Sequence, residues 1–94
     1  MPDLISSDRI PEILKQIEGW EFVSDSSSIR RTYSFENFHQ TMAFVNAMAW
    51  IAHSMDHHPD IEAGYNSCTL TFTTHSAGGL TSLDVEAARR VNDL

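Results

Sequence analysis

The stretch NFHQTMAFVNAMAWIAHSM (Asn37–Met55) runs straight into DHHPD (Asp56–Asp60), and the join between them decides the fold. No Gly or Pro interrupts the first part. Phe38, Met42, Val45, Met48 or Ala49, Ala52 and Met55 recur at three- and four-residue steps, which predicts one long helix of about 28 Å. Phe44, Trp50 and Ile51 fall off that stripe, so the helix has a second apolar face for further core or for another subunit. Pro59 is expected to end the helix, because the residue before a proline is pushed out of helical space. His57 and His58 then sit at a helix-to-strand junction.

Downstream of the junction, Asp60 to Tyr65 and Cys68 to His75 read as two strands joined by a turn at Asn66-Ser67. Cys68, Leu70, Phe72 and Thr74 alternate with Thr69, Thr71 and Thr73, the signature of a half-buried strand. Ser76-Ala-Gly78-Gly79 is a loop, and Thr81-x-x-Asp84 has the spacing of a capping box opening a last helix through Val85, Ala88 and Val91. Upstream, Ser7 is expected to cap a short helix that tolerates Pro11 in its first turn, buries Ile10, Ile13, Leu14 and Ile17, and stops at Gly19. Trp20 and Phe22 then lead through a turn at Asp25–Ser28 into a strand from Ile29 to Phe35. The order α-β-β-α-β-β-α predicts an α+β fold: a four-stranded antiparallel sheet with helices on one face, since parallel neighbours need longer crossovers.

Ninety-four residues, 41% hydrophobic, suit one small domain over residues 1–94, with no repeat or linker. A net charge of -7 with only six Lys+Arg argues against direct nucleic-acid binding, which needs a basic face. The lone Cys68 excludes an intrachain disulfide and reads as a small buried hydrophobe. No apolar run reaches membrane-spanning length and the N-terminus lacks a signal pattern, so the expectation is a cytoplasmic protein with no membrane partner.

Every histidine except His39, which reads as a solvated residue early in the long helix, lies between positions 53 and 75. Histidine both donates and accepts protons near neutral pH, so the cluster points to proton transfer or to metal. His53 and His57 stand four apart and would share a helix face, with His75 returning beside them. A zinc site is the weaker use: Ser54 stands where a metalloprotease helix carries its glutamate, and no Glu lies nearby as base. The metal-free use pairs one histidine protonating a leaving oxygen with another taking a proton from the adjacent atom, Asp56 orienting an imidazole. Ordinary surface histidines explain the spacing equally well. Tyr65 reads as a sheet or core aromatic, and Asp84 is accounted for by its capping position.

The run His53-x3-His57-His58-Pro59-x5-Tyr65-x9-His75-x8-Asp84 resembles the signature of the pterin-4a-carbinolamine dehydratases, also called 4a-hydroxytetrahydrobiopterin dehydratases. Trp20 after a short helix, Arg31-x-Tyr33-x-Phe35, Tyr65-Asn66, Thr74-His75 and Gly79-Leu80-Thr81 are also similar to that family. The resemblance implies dehydration of a 4a-hydroxytetrahydropterin to the quinonoid dihydropterin, the recycling step after an aromatic amino acid hydroxylase. It implies no metal or organic cofactor.

Carried over, His57 and His75 would be the acid-base pair, in either order of roles, and His58 would hold the pterin and assist. Asp56, Thr73, Thr74 and Ser76 match pterin contacts, and Trp20 would sit near the pocket mouth. The position of His53 is commonly acidic in the family, so its imidazole either takes over a hydrogen bond or alters the charge around His57. The resemblance also implies a homodimer through sheet edges or a homotetramer through packed helices. Its competing implication is a non-catalytic interaction protein, since animal members also serve as dimerisation cofactors of a homeodomain transcription factor.

Overall fold

A computed structural model describes residues 3–94. Among them a 3-10 turn at Ser7–Arg9 continues into α1 (Ile10–Leu14), followed by β1 (Glu21–Val23), β2 (Ser28–Ser34), α2 (Phe38–Met55), β3 (Asp60–Ala63), β4 (Ser67–Phe72), a 3-10 turn at His75–Ala77 and α3 (Ser82–Asn92). The sheet is antiparallel throughout, in the order β1-β2-β4-β3. The expected α+β architecture and element order hold.

Strand alternation decides which face is covered. Ile29 pairs with Phe72, Arg31 with Leu70 and Tyr33 with Cys68, so these six side chains share one face. Cys68, Leu70 and Phe72 are fully buried there, together with Ile17, Met48, Ala87, Ala88 and Val91 from the helical side. Each large apolar side chain removed from water contributes about 1.5–3 kcal/mol. The opposite face carries Arg30, Thr32, Thr69, Thr71 and Asp60 and has no helix over it; Thr32 and Thr69 hydrogen-bond across it at 2.8 Å.

Several boundaries differ from expectation. The first helix is one short turn rather than a run to Gly19: neither Ser6 nor Ser7 supplies a side-chain cap, and residues 15–19 form turns, closed by Gly19 at φ +86°. A Cβ at Gly19 would stand 2.5 Å from the Arg31 guanidinium and displace the end of that flexible side chain, while the positive φ is what favours glycine here. The strand before the β3–β4 turn stops at Ala63, leaving Tyr65 in the turn and 65% exposed rather than in sheet or core. The strand after it stops at Phe72, so His75 lies in the following 3-10 turn.

The long helix begins as its sequence requires, with the Asn37 side chain accepting from the Gln40 N–H. Its end is not set by Pro59. Asp56 adopts the left-handed conformation (φ 50°, ψ 42°) directly after Met55, and the His57 N–H bonds back to the Ala52 carbonyl at 3.1 Å. Aspartate is among the few non-glycine residues that enter this region readily. The helix stops at Met55, four residues before the proline, and the reversal carries His57 off the face that continued helix would share with His53.

Candidate active site

The end of α2, the end of β4 and the start of α3 meet at one buried carboxylate. Thr81 caps α3 and Asp84 completes the capping box, accepting the Thr81 N–H at Oδ2 (2.9 Å). The same Oδ2 accepts the Thr74 hydroxyl at 2.8 Å, while Oδ1 meets His57 Nε2 at 2.6 Å. Thr74 has one hydroxyl hydrogen and donates it to Asp84, so its 2.8 Å contact with Thr81 is donated by Thr81. Asp84 and Thr81 are fully buried and Thr74 and His57 nearly so. Among the described residues no buried side-chain nitrogen or oxygen lacks a partner.

An ionised carboxylate only accepts hydrogen bonds, so His57 must donate from Nε2, which leaves Nδ1 with the free lone pair in the neutral ring. Phe72 stacks on the imidazole at 5.8 Å with 17° between planes. Carboxylate and phenyl together fix the ring's tautomer and its plane. The capping box was readable in the sequence; the hold on His57 was missed, because nothing local marks a contact between residues 27 apart.

His75 is exposed and lines a groove of about 300 Å³ with Ser26, Ser28, Asp60, Thr71 and Thr73, closed by Gly78 and Gly79. Thr73, Thr71 and Asp60 belong to the helix-free face, and Thr73 is steadied by donating to the Ser27 carbonyl at 2.9 Å. His57, by contrast, packs on Phe72 on the covered face. The link between the two histidines runs through Asp84, which holds His57 on one side and Thr74, the neighbour of His75, on the other.

The remaining expected residues divide. Asp56, His58 and Ser76 are exposed at the two junctions. Thr74 is committed to Asp84 and Thr81 and supports the site from beneath. Trp20 is 5% exposed, packs on Phe72 at 5.8 Å and donates its Nε1–H to Asn92 Oδ1 at 2.9 Å, so it is a core residue and not a pocket-mouth one. His53 is exposed with Trp50 beside it at 6.3 Å. The expected convergence of His53, His57 and His75 does not occur, and among the described residues no three His, Cys, Asp or Glu side chains gather as a metal-binding group.

Fold and site together define a small α+β domain carrying a carboxylate-oriented histidine and a second, exposed one. The sequence profile of the pterin 4 alpha carbinolamine dehydratase family matches residues 3–94. A relative from Nitrosospira multiformis, carrying a provisional pterin-4-alpha-carbinolamine dehydratase name, is 47% identical over all of this chain and 80% of its own length. A solved structure from Brucella melitensis, described as a transcriptional coactivator/pterin dehydratase, superposes with a TM-score of 0.92 at 32% identity, covering 97% of each chain. A pterin dehydratase-like RuBisCO assembly factor of the alpha-carboxysome shares the fold, with a TM-score of 0.69 at 22% identity over 81% of this chain and 88% of its own. The chain belongs to the pterin 4 alpha carbinolamine dehydratase family. No described helix is long and apolar enough to cross a membrane.

Proposed function

We propose that the protein dehydrates a 4a-hydroxytetrahydropterin to the quinonoid dihydropterin and water, recycling the pterin released by an aromatic amino acid hydroxylase in the cytoplasm. The observation that carries this reading is the unit His57–Asp84–Thr74, in which one buried carboxylate orients the His57 imidazole and also binds Thr74, the residue before the exposed His75. The reaction needs a proton delivered to the departing 4a-hydroxyl and a proton removed from N5, after which C4a and N5 share the new double bond. His57 and His75 form the acid-base pair, and the two proton movements leave the protein's charge unchanged. With Nε2 engaged by Asp84, His57 exchanges its proton through Nδ1. His58 contacts and holds the pterin, aided by Asp56, Thr73 and Ser76, while Thr74 acts through Asp84.

The test is the absorbance decay of freshly generated 4a-hydroxytetrahydropterin with and without protein. Acceleration lost in both His57→Ala and His75→Ala supports the assignment. Folded wild-type protein that gives no acceleration refutes it.

A second reading, an interaction or dimerisation protein of the same fold, is favoured by the exposed apolar side chains: Trp50 is 70% exposed, Phe38 52% and Ile61 44%. Trp50 and Phe38 lie on α2 and Ile61 on the edge strand β3. The two readings are compatible if these surfaces join copies of the chain. We infer a homodimer or homotetramer, and a monomer at micromolar concentration in sedimentation would contradict it.

A further inference from the structure

A cavity of about 810 Å³ lies away from the candidate site: none of His57, His58 and His75 lines it. It opens between the N-terminal segment with α1 and the junction of α2 with α3. Ile13, Met55, Leu83 and Val85 make its apolar wall, and Arg9, Arg89 and Arg90 are among its polar lining. A chain of net charge -7 has only six Lys and Arg, so half of its cationic side chains border one cavity.

Glu86 joins two of these arginines, meeting Arg89 Nη1 at 2.9 Å and Arg90 Nε at 3.0 Å. Hydrogen bonding to Arg90, then Arg89, holds the Glu86 carboxyl below the usual range. Each guanidinium keeps further N–H donors free, because five are available and few are used. Arg9 has no hydrogen bond or ion pair to its guanidinium among the described residues. Counting Asp3, which also lines the cavity, three cations face two carboxylates, leaving an excess of positive charge on an otherwise acidic protein.

We propose that this cavity binds a small organic anion: an apolar, preferably aromatic body carrying one carboxylate, sulfonate or phosphate group. The volume is that of ordinary small-molecule sites, and the division into an apolar wall and convergent polar donors is their usual construction. The body lies on Met55, Leu83 and Val85, and the anionic group takes charge-assisted hydrogen bonds from Arg9 and the spare donors of Arg89 and Arg90.

The full chain is titrated with 1-anilinonaphthalene-8-sulfonate, followed by fluorescence, and with N-phenyl-1-naphthylamine, the same ring system without the sulfonate. Saturable one-to-one binding of the sulfonate, with the neutral probe clearly weaker, is the expected result. Arg9→Ala weakens the sulfonate by about threefold, and Glu86→Gln, which releases Arg89 and Arg90, tightens it by a similar factor. The neutral probe is unchanged by either. A loosened fold exposes apolar surface and would strengthen both probes, so tightening of the sulfonate alone by Glu86→Gln keeps the proposal falsifiable should Arg9→Ala prove less stable. Equal affinity for the two probes, sulfonate affinity indifferent to both variants, or a signal abolished by Trp50→Ala on the exposed α2 face would overturn it.

Discussion

Removing the charge of Asp84 tests the fold and the candidate site in one measurement. Its carboxylate accepts three buried hydrogen bonds, from His57 Nε2, the Thr74 hydroxyl and the Thr81 N–H. In Asp84→Asn the side-chain oxygen can keep the Thr74 and Thr81 bonds while the amide faces His57. The amide is a donor, so His57 must move its proton from Nε2 to Nδ1 to accept from it. Losing the charge while keeping the shape is expected to cost about 1–3 kcal/mol, the difference between charge-assisted and neutral bonds. Asp84→Ala keeps no acceptor and strands buried donors, which costs about 3–5 kcal/mol.

A chain of 94 residues has a total stability of about 5–14 kcal/mol. With a urea slope near 1 kcal/mol per M, Asp84→Asn should therefore lower the midpoint by about 1–3 M, and Asp84→Ala should leave the protein barely folded. The reversed tautomer removes the free lone pair at Nδ1, so the dehydration rate should fall by about 100-fold or more in Asp84→Asn protein that is still fully folded. Nitrogen-15 chemical shifts of His57 report the tautomer directly. An Asp84→Ala midpoint within about 0.5 M of wild type would show that the carboxylate is not the structural node its three bonds imply. An Nδ1–H tautomer in the wild type would refute the argument for how His57 is held.

Asp56 separates conformation from contact: Asp56→Gly keeps the left-handed turn and should leave stability within about 0.5 kcal/mol, whereas Asp56→Ala should lose about 1–2 kcal/mol in thermal or urea unfolding. A raised KM in the stable glycine variant would then assign Asp56 to the pterin. Asn92 Oδ1 accepts from Trp20 Nε1, Arg31 Nη1 and the Tyr33 hydroxyl at 2.8–2.9 Å, so Asn92→Ala should destabilise by about 2–4 kcal/mol and redden Trp20 fluorescence. At alkaline pH, burial raises the Tyr33 hydroxyl above its ordinary 10.0, against the lowering effect of Arg31, and raises the Cys68 thiol above 9.0. The folded state holds these protons longer than the unfolded one, so their contribution is complete below about pH 9 and is lost as pH rises through the raised values. Tyr33→Phe with Cys68→Ala should flatten that alkaline decline in a pH series of urea midpoints; an unchanged slope would contradict the assignment.

What the sequence made legible was local. The α2 stripe from Val45 to Met55, the alternation of Cys68, Leu70, Phe72 and Thr74 and the capping box of α3 are each written within a few residues, and each stands in the structure, whereas Phe38 at the head of the expected stripe is exposed and Phe44 and Ile51, expected off it, pack against the core. What it hid was decided at a distance or by a single backbone angle. The end of α2 turns on a left-handed Asp56, which carries no periodic signal, while the nearby Pro59 offers a plausible but later stop. Trp20 and Tyr65 are both aromatics beside strands, yet one is sealed by Phe72 and Asn92 and the other left on a turn, a distinction made only by tertiary packing.

Asp84 shows why the two kinds of information meet at the site. Its capping role is local and legible; its hold on His57 is neither, although one side chain performs both. The cap fixes the carboxylate at the first turn of α3, and its remaining oxygen then fixes an imidazole delivered by the reversal after α2. The imidazole cannot swing away without leaving a buried carboxylate oxygen unpaired, and α3 cannot fray at its start without releasing the imidazole. Orientation for proton transfer is thereby tied to the stability of the fold, and substitutions that loosen the start of α3 should slow the proposed reaction before they unfold the protein.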